Sequence, residues 1–197
     1  QSAYAANIEQ ATSLTPSPGG TKETQVMAMI DTFNLKSVND VASYLNIPES
    51  NTVKTLIVEG KNDPLVALII RGDDVLNEIK AAKHPLVKSP LCFASDELIL
   101  KYLQAPPGSL GPVNINIPFI VDHHARALSD FVCGANQEHK HYIHVTWERD
   151  IHCEHLWDLR CVREGDLSPD GKGHLKSCRG IEVGHVFALG QKYAQAM

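Results

Sequence analysis

A chain of 197 residues with 43% hydrophobic and 21% charged residues has the size and composition of one ordinary globular domain with a small appendage. Its 18 basic and 23 acidic residues give a formal net charge of −5, which excludes a basic surface extending over the whole chain. Any contact with RNA therefore has to use a local patch or a neighbouring domain.

Neither a membrane segment nor a disulfide framework is predicted. No apolar run approaches the roughly 20 residues that a membrane span requires, and the N-terminus lacks the basic and apolar pattern of a signal peptide. The five cysteines are odd in number and scattered along the chain. These features predict a protein of the reducing cytoplasm without a membrane partner.

The first half of the chain contains a linker, a helix and a hairpin pattern. A Pro/Gly/Ser cluster at 15–20 is typical of a linker. A helix is predicted from Ser37, whose side chain would cap its N-terminus, and Pro48 ends it. Strand patterns follow at 52–58 and 65–70, and the turn residues between them predict a hairpin.

The middle of the chain mixes helices and strands in irregular order. Helices are predicted at Asp74–Ala82 and Ser95–Leu103, and strands at 117–121 and 142–147. A Gly/Pro-rich loop, Gly108–Pro112, follows the second of these helices. This irregular order favours an α+β fold over a doubly wound sheet.

The last quarter of the chain carries the most informative motif. A Gly/Pro turn at 165–173 leads into the strand pattern 179–187, followed by Leu189–Tyr193. These runs resemble the point where a bacterial-type prolyl-tRNA synthetase re-enters its aminoacylation domain after a large insertion. Tyr4–Glu9 likewise resembles the synthetase segment before that insertion. The chain is similar to the insertion (editing) domain of this family, a YbaK-like aminoacyl-tRNA deacylase.

The resemblance implies a fold and a domain organisation. The fold is α+β, with a mixed, largely antiparallel sheet surrounded by helices. A flanking synthetase segment and linker span 1–23, the editing domain spans 24–166, and a return segment into the catalytic domain spans 167–197. Because the chain starts at Gln1 and stops before the arginine-bearing motif expected after Met197, we expect a piece of a longer enzyme.

The resemblance also implies a function. The parent enzyme joins proline to tRNA(Pro) with ATP and Mg and is a homodimer, whereas the editing domain hydrolyses alanyl-tRNA(Pro) without a cofactor. A proline pocket cannot exclude the smaller alanine, because each missing methylene changes binding by only about 1–3 kcal/mol. Two alternatives are a non-catalytic tRNA-binding or interdomain module with a degenerate pocket, and a deacylase for another small aminoacyl group such as cysteine.

The site residues follow from family motifs rather than from spacing. Lys54, within the matching run Thr52–Leu56, and His141 are the expected catalytic residues, and the expected substrate-binding residues are Thr32, Asn77, Gly108, Gly111, Pro112, Asp122 and Asn136. Without the resemblance, Lys54 could equally face solvent, Asp122 could cap a helix and His141 could lie on the surface. Strand alternation puts Lys54 on one face with Leu56 and Val58, so we expect an anion to meet its ammonium group.

No metal site is predicted. The cluster His152–His155, with Cys161 and Cys178, contains zinc-ligand types but no C-x2-C pair. Cys133 is not expected to be a nucleophile, since no ordered Cys-His-Asn arrangement can be read from the sequence. A phosphate loop of the G-x4-G-K-[ST] type is also absent from the sequence, so the ATP of the parent enzyme is not expected to bind through such a loop here.

Overall fold

The computed structural model describes residues 2–17 and 25–179, in which short α-helices alternate with strands. The elements are β1 (Ala28–Asp31), α1 (Val38–Leu45), a 3-10 turn (Glu49–Asn51), β2 (Val53–Glu59), β3 (Leu65–Arg71), α2 (Glu78–Ala81), α3 (Asp96–Leu103), β4 (Phe119–Asp122), α4 (His123–Arg126), β5 (Phe131–Gly134), β6 (Lys140–Val145) and β7 (Leu156–Trp157). No helix within these two ranges is long and apolar enough to cross a membrane. The predicted α+β class is confirmed.

A four-stranded mixed sheet in the order β2-β3-β4-β7 contains the predicted hairpin. β2 and β3 pair antiparallel, with Val53 opposite Arg71 and Glu59 opposite Leu65. β4 and β7 add in parallel. Every residue of β3 from Leu65 to Ile70 is buried, because side chains cover both faces of this central strand. Burial on both faces explains why this stretch is continuously apolar.

A three-stranded antiparallel sheet, in the order β1-β6-β5, forms the second layer. A parallel bridge between Thr52 and Val132 connects β5 to the start of β2. One core cluster combines side chains from both sheets, including Ile57, Ile69, Phe131, Val145 and Trp147. A second cluster covers the other face of the mixed sheet, including Val58, Val66, Leu68, Ile70 and Leu159. The strands are thus divided between two sheets, whereas the sequence predicted one.

The two longer helices have the predicted N-terminal caps. The Ser37 hydroxyl accepts a hydrogen bond from the Asp40 N–H (3.1 Å) at the start of α1. Ser95 accepts from the Leu98 N–H (3.3 Å) at the start of α3. α1 ends at Asn46, in the left-handed conformation, before the predicted stop at the proline. Cap chemistry therefore located both helix starts correctly.

The helix predicted at Asp74–Ala82 is wrong in length. Only Glu78–Ala81 forms a helical turn, and Asn77 caps it. Asp74 is fully buried and lies 2.7 Å from Arg163 and 3.6 Å from Arg160. These ion pairs hold Asp74 outside the helix, because a buried carboxylate needs cationic partners.

A network of charged side chains fixes the segment after β7 to the hairpin. Arg160, which is 1% exposed, donates to Asp166 at 2.6 Å. Arg163 donates to Asp73 at 2.9 Å. Asp73 also accepts from Arg71, at the end of β3, at 2.6 Å. The network therefore links residues 90 positions apart in sequence at the C-terminal end of β3.

The N-terminal segment 2–17 lies beside the segment 165–173. The Leu14 N–H donates to the Leu167 carbonyl (2.9 Å) and the Ser2 hydroxyl donates to Asp170 (3.0 Å). The predicted domain boundaries at 23/24 and 166/167 remain predictions. Part of the predicted linker (18–24) and most of the predicted return segment (180–197) lie outside the described residues.

Candidate functional site

A cavity of about 370 Å³ opens beside the outer edge of β2. That edge is closed at one end by the bridge from Thr52 to Val132, and at the other by hydrogen bonds from segment 92–94. Between these two contacts the middle of β2 is open. The cavity is lined there by Lys54, Thr55, Leu56, Phe93, Gly108, Leu110, Cys133, Gly134 and His141, among others.

Lys54 lies in this open stretch and is half-buried. Its Nζ donates a hydrogen bond to the Gly72 carbonyl at 2.9 Å. Burial lowers the pKa of Lys54 below its ordinary value, while the nearby carboxylates of Asp74 and Asp73 act in the opposite direction. The protein itself therefore supplies part of the negative charge that the sequence led us to expect from a ligand.

His141 and Thr32 form a buried pair at the cavity wall. Thr32 is 1% exposed and His141 6% exposed, and the Thr32 Oγ1 lies 2.6 Å from the His141 Nδ1. Burial lowers the pKa of His141, so its imidazole is neutral at pH 7. Among the described residues, no group hydrogen-bonds to Nε2 of His141. This nitrogen is therefore available to a ligand in the cavity.

The predicted Gly108–Pro112 loop borders the cavity through Gly108 and Leu110. Asn136 fixes the loop, because its side chain accepts from the Gly111 N–H (2.9 Å) and donates to the Val113 carbonyl (2.8 Å). Within residues 2–17 and 25–179, no group accepts a hydrogen bond from the N–H of Gly108 or of Leu110. The loop thus offers unpaired backbone donors beside the lysine and the histidine.

Glycines are required where this loop crosses β5. A Cβ atom added to Gly111 would lie 1.8 Å from the Gly134 carbonyl oxygen. A Cβ atom on Gly134 would lie 2.4 Å from the Leu110 carbonyl oxygen. Because backbone atoms meet at these distances, neither position has room for a side chain. Pro112, the last residue of the loop, is buried and is not part of the cavity lining.

Two of the predicted substrate-binding residues, Asn77 and Asp122, lie away from this cavity. Asn77 caps α2 by accepting from the Lys80 N–H at 3.1 Å. Asp122 accepts from the N–H groups of His124 (2.7 Å) and Leu159 (2.8 Å), so it caps α4 and ties β4 to the chain after β7. Their oxygens are used for backbone hydrogen bonds and neither residue lines the cavity. A short polar residue before a helix serves as a cap more simply than as a ligand.

Sequence reasoning missed most residues of the lining, among them Thr55 and Phe93. Thr55 has a buried hydroxyl with no hydrogen-bond partner among the described residues. Phe93 is 50% exposed although it is aromatic. Thr55 is adjacent to Lys54 in the matched motif, so the motif could have identified it, whereas no local pattern marks Phe93.

The cysteines and histidines of the described part of the chain do not form a metal cluster. No group of three or more His, Cys, Asp or Glu side chains within 2–17 and 25–179 could hold a metal ion. The expectation that no metal is needed remains a prediction. Complete burial raises the pKa of the Cys133 thiol, which keeps it protonated and therefore a poor nucleophile.

Comparison with known families and proteins gives two kinds of match. The model of the aminoacyl-tRNA editing domain matches residues 32–151. The chain is 60% identical over 194 residues to the proline--tRNA ligase of Legionella pneumophila strain Paris, and equally so to that of strain Corby. Each match covers 98% of this chain and 34% of the relative. The chain thus spans about a third of the length of these curated relatives.

Solved structures with a similar fold have low sequence identity. One is described as "a putative trans-editing enzyme for prolyl tRNA synthetase"; it has a TM-score of 0.59 and 17% identity, and covers 68% of this chain and 86% of its own. Another, a hypothetical protein, has a TM-score of 0.56 and 21% identity, with 68% and 91% covered. At these identities the likeness concerns the fold alone.

Proposed function

The chain belongs to the aminoacyl-tRNA editing domain family, and we propose that it hydrolyses the ester bond of tRNA(Pro) wrongly charged with alanine. The observation that carries the proposal is the cavity at the open edge of β2, where Lys54, His141 and the Gly108 loop meet. Ester hydrolysis needs stabilisation of the negative charge that develops on the carbonyl oxygen, which a cation and unpaired backbone N–H groups can provide. A neutral imidazole can hydrogen-bond the reacting groups. The cavity volume is within the range typical of small-molecule sites.

We further propose that the domain works within a prolyl-tRNA synthetase. The 60% identity to proline--tRNA ligases over 98% of the chain supports this context. The parent enzyme would join proline to tRNA(Pro) using ATP and Mg, as a homodimer in the cytoplasm. The editing step itself needs neither ATP nor a metal in this proposal. Its partners are alanyl-tRNA(Pro) and the rest of the synthetase.

The size difference between alanine and proline explains why editing is needed. A synthetic site shaped for proline admits alanine, because missing methylenes reduce binding by only about 1–3 kcal/mol each. A second site that accepts alanine and sterically rejects the proline ring removes the error. The lining beside Lys54 includes Leu56, Leu110 and Val132, whose apolar side chains set the room available to the aminoacyl group.

In the proposed hydrolysis, a water molecule attacks the carbonyl carbon of the ester. The carbonyl oxygen gains negative charge as the tetrahedral intermediate forms. When the intermediate collapses, the bond between the carbonyl carbon and the ribose oxygen breaks, and the ribose oxygen takes up the proton that the attacking water loses. Unpaired N–H groups of Gly108 and Leu110 stabilise that oxygen. The Lys54 ammonium binds the ester or the phosphate of the terminal nucleotide, and exchanges its hydrogen bond to Gly72 for one to the substrate.

His141 positions the reacting groups rather than carrying charge, because burial keeps it neutral. Its bond to Thr32 selects the tautomer: when the Thr32 hydroxyl donates to Nδ1, the proton lies on Nε2 and faces the ligand as a donor. A ribose hydroxyl of the terminal nucleotide helps to orient the water. No side chain of the cavity needs to act as a strong base in this scheme.

A deacylation assay with alanyl-, cysteinyl- and prolyl-tRNA(Pro) tests the proposal. We expect the 197-residue chain to hydrolyse alanyl-tRNA(Pro) under single-turnover conditions and to leave prolyl-tRNA(Pro) intact. Faster hydrolysis of the cysteinyl ester would identify the domain as a deacylase for a different aminoacyl group. If none of the three esters is hydrolysed above the buffer rate, the domain is a non-catalytic module.

A further inference from the structure

An exposed aromatic ring lies at the rim of the proposed site. Phe93 lines the cavity, yet 50% of its surface is exposed. An exposed phenylalanine forfeits part of the free energy that burial would provide. The ring therefore has exposed apolar surface that a ligand entering the cavity can contact.

The backbone around Phe93 is held firmly against β2. The Glu59 N–H donates to the Cys92 carbonyl (2.9 Å), and the Ala94 N–H donates to the Ile57 carbonyl (3.0 Å). These two bonds on either side of Phe93 make segment 92–94 a short extra strand on the edge of the mixed sheet. The ring is thus carried by a fixed backbone, which lowers the entropic cost of using it as a binding surface.

Strand geometry places this ring on the same face of the sheet as Lys54. Phe93 lies directly opposite Val58 in an antiparallel bridge, so their side chains share a face. Alternation along β2 puts Val58, Leu56 and Lys54 on that face. Lys54 lies four positions from Val58 along the strand, so their Cα atoms are about 13 Å apart at the usual rise per residue. A cation and an exposed ring at this separation can contact two parts of one ligand.

We propose that Phe93 stacks on the base of the terminal nucleotide whose ester enters the cavity. The inference rests on the proposed function and names how that site holds its substrate. Lys54 holds the phosphate or ester, and the ring holds the base. Stacking on an aromatic ring accepts any base, and its loss weakens nucleic-acid binding about 5- to 150-fold.

The test measures binding without hydrolysis. The probe is an acceptor-stem minihelix that ends in an alanyl 3′-amide, which cannot be hydrolysed, and carries 2-aminopurine as its terminal base. Fluorescence of this base falls when it stacks. We expect quenching with the 197-residue chain, and with Phe93→Leu we expect loss of quenching and about 5- to 150-fold weaker binding. Phe93→Trp restores both signals.

Tyr102 provides the matched control. It is also an exposed aromatic residue (43%), but it lies on α3 and is not part of the cavity lining. Tyr102→Leu should leave affinity and quenching unchanged. Equal affinity and quenching for Phe93→Leu and the wild type would overturn the proposal and leave the ring as a contact for another protein segment.

A second measurement needs no variant and is independent of folding. The wild-type chain should bind a minihelix with an abasic terminal nucleoside about as weakly as Phe93→Leu binds the intact probe. If the abasic and intact probes bind equally well, the stacking proposal is wrong. Because both experiments use an inert amide, a failure of deacylation would count against the proposed function and would leave this result standing.

Discussion

At the scale of single residues, Lys54 shows how a charge can be kept ready for a ligand. Its ammonium group is half-buried and has a hydrogen bond to the Gly72 carbonyl, with Asp73 and Asp74 nearby. A carbonyl acceptor satisfies the donor without neutralising the positive charge. Burial still lowers the pKa of Lys54, so these partners do not fully compensate the loss of hydration, and the ammonium gains when an anionic oxygen replaces the carbonyl.

The first prediction concerns Lys54→Ala. We expect alanyl-tRNA(Pro) hydrolysis to fall by about two orders of magnitude, the usual effect of losing one donor to a developing oxyanion. The free energy of unfolding should fall by no more than about 1.5–3 kcal/mol, because the half-buried side chain makes a single hydrogen bond from a charged donor. Lys54→Arg should rescue only partly, since a planar guanidinium does not replace a compact ammonium.

Single-turnover deacylation and urea unfolding measure these two effects separately. Lys101→Ala is the matched control, because Lys101 is an exposed lysine on α3 that does not line the cavity. Near-normal hydrolysis by Lys54→Ala, or a loss that merely follows unfolding, would show that Lys54 is not part of the site.

Family motifs mark individual positions, so the sequence could name residues that the fold brings together. Lys54, His141 and Gly108 were all named from motifs, and all three line one cavity. Asn77 and Asp122 lie away from that cavity, and a short polar residue that caps a helix looks the same in sequence as one that binds a ligand. Phe93 had no local signal, since its position depends on pairing with a strand more than thirty residues earlier.

At the scale of elements, the sequence predicted those helices and strands that are determined by interactions between residues close together in the chain. Serine caps located α1 and α3, and the turn between two apolar runs located the β2–β3 hairpin. The strands β1, β5 and β7 were not predicted, because each has only two to four residues and is stabilised by partners distant in sequence. The division of the strands between two sheets was not predicted for the same reason, because it depends on pairing between strands that are distant in sequence.

The second prediction tests the crossing between the Gly108–Pro112 loop and β5. Gly111→Ala should lower the free energy of unfolding by about 1–3 kcal/mol, because the new Cβ would meet the Gly134 carbonyl at 1.8 Å. Hydrolysis should fall as well, since the loop that borders the cavity must shift away from Gly134. Urea unfolding and single-turnover deacylation report the two changes.

Gly173→Ala is the control for this prediction. A Cβ at Gly173 would have its nearest neighbour, the Ser2 nitrogen, at 3.4 Å, which is ordinary contact. Its stability and hydrolysis rate should match the wild type. If Gly111→Ala behaves in the same way as Gly173→Ala, then the loop does not need its close approach to β5.

At the scale of the whole molecule, buried histidines make stability depend on pH. Burial, with a contribution from the positive charge of Arg160, lowers the pKa of His124 from 6.5 to about 4. Between these two values the unfolded chain binds a proton at this residue and the folded chain does not. The free energy of unfolding should therefore fall as the pH is lowered from 6.5 to about 4.

The third prediction is that His124→Gln makes this dependence shallower. Urea unfolding of both proteins at several pH values between 7 and 4.5 gives the two slopes, and the carboxylates common to both cancel in the comparison. His84 and His141, whose pKa values are also lowered by burial, should leave a smaller slope of the same sign. Identical slopes would show that His124 is not the residue responsible.

The side-by-side course of the segments 2–17 and 165–173 has a consequence for protein engineering. Because the Leu14 and Leu167 backbones are hydrogen-bonded, the segments that lead into and out of the domain lie next to each other. A domain tethered in this way can be spliced into a surface loop of an unrelated host without pulling the ends of that loop apart. Arg160, which donates to Ser13 (2.9 Å) in one segment and to Asp166 (2.6 Å) in the other, would be part of the graft and would hold the two segments together. A graft of this kind would transfer the proposed editing activity to the host protein.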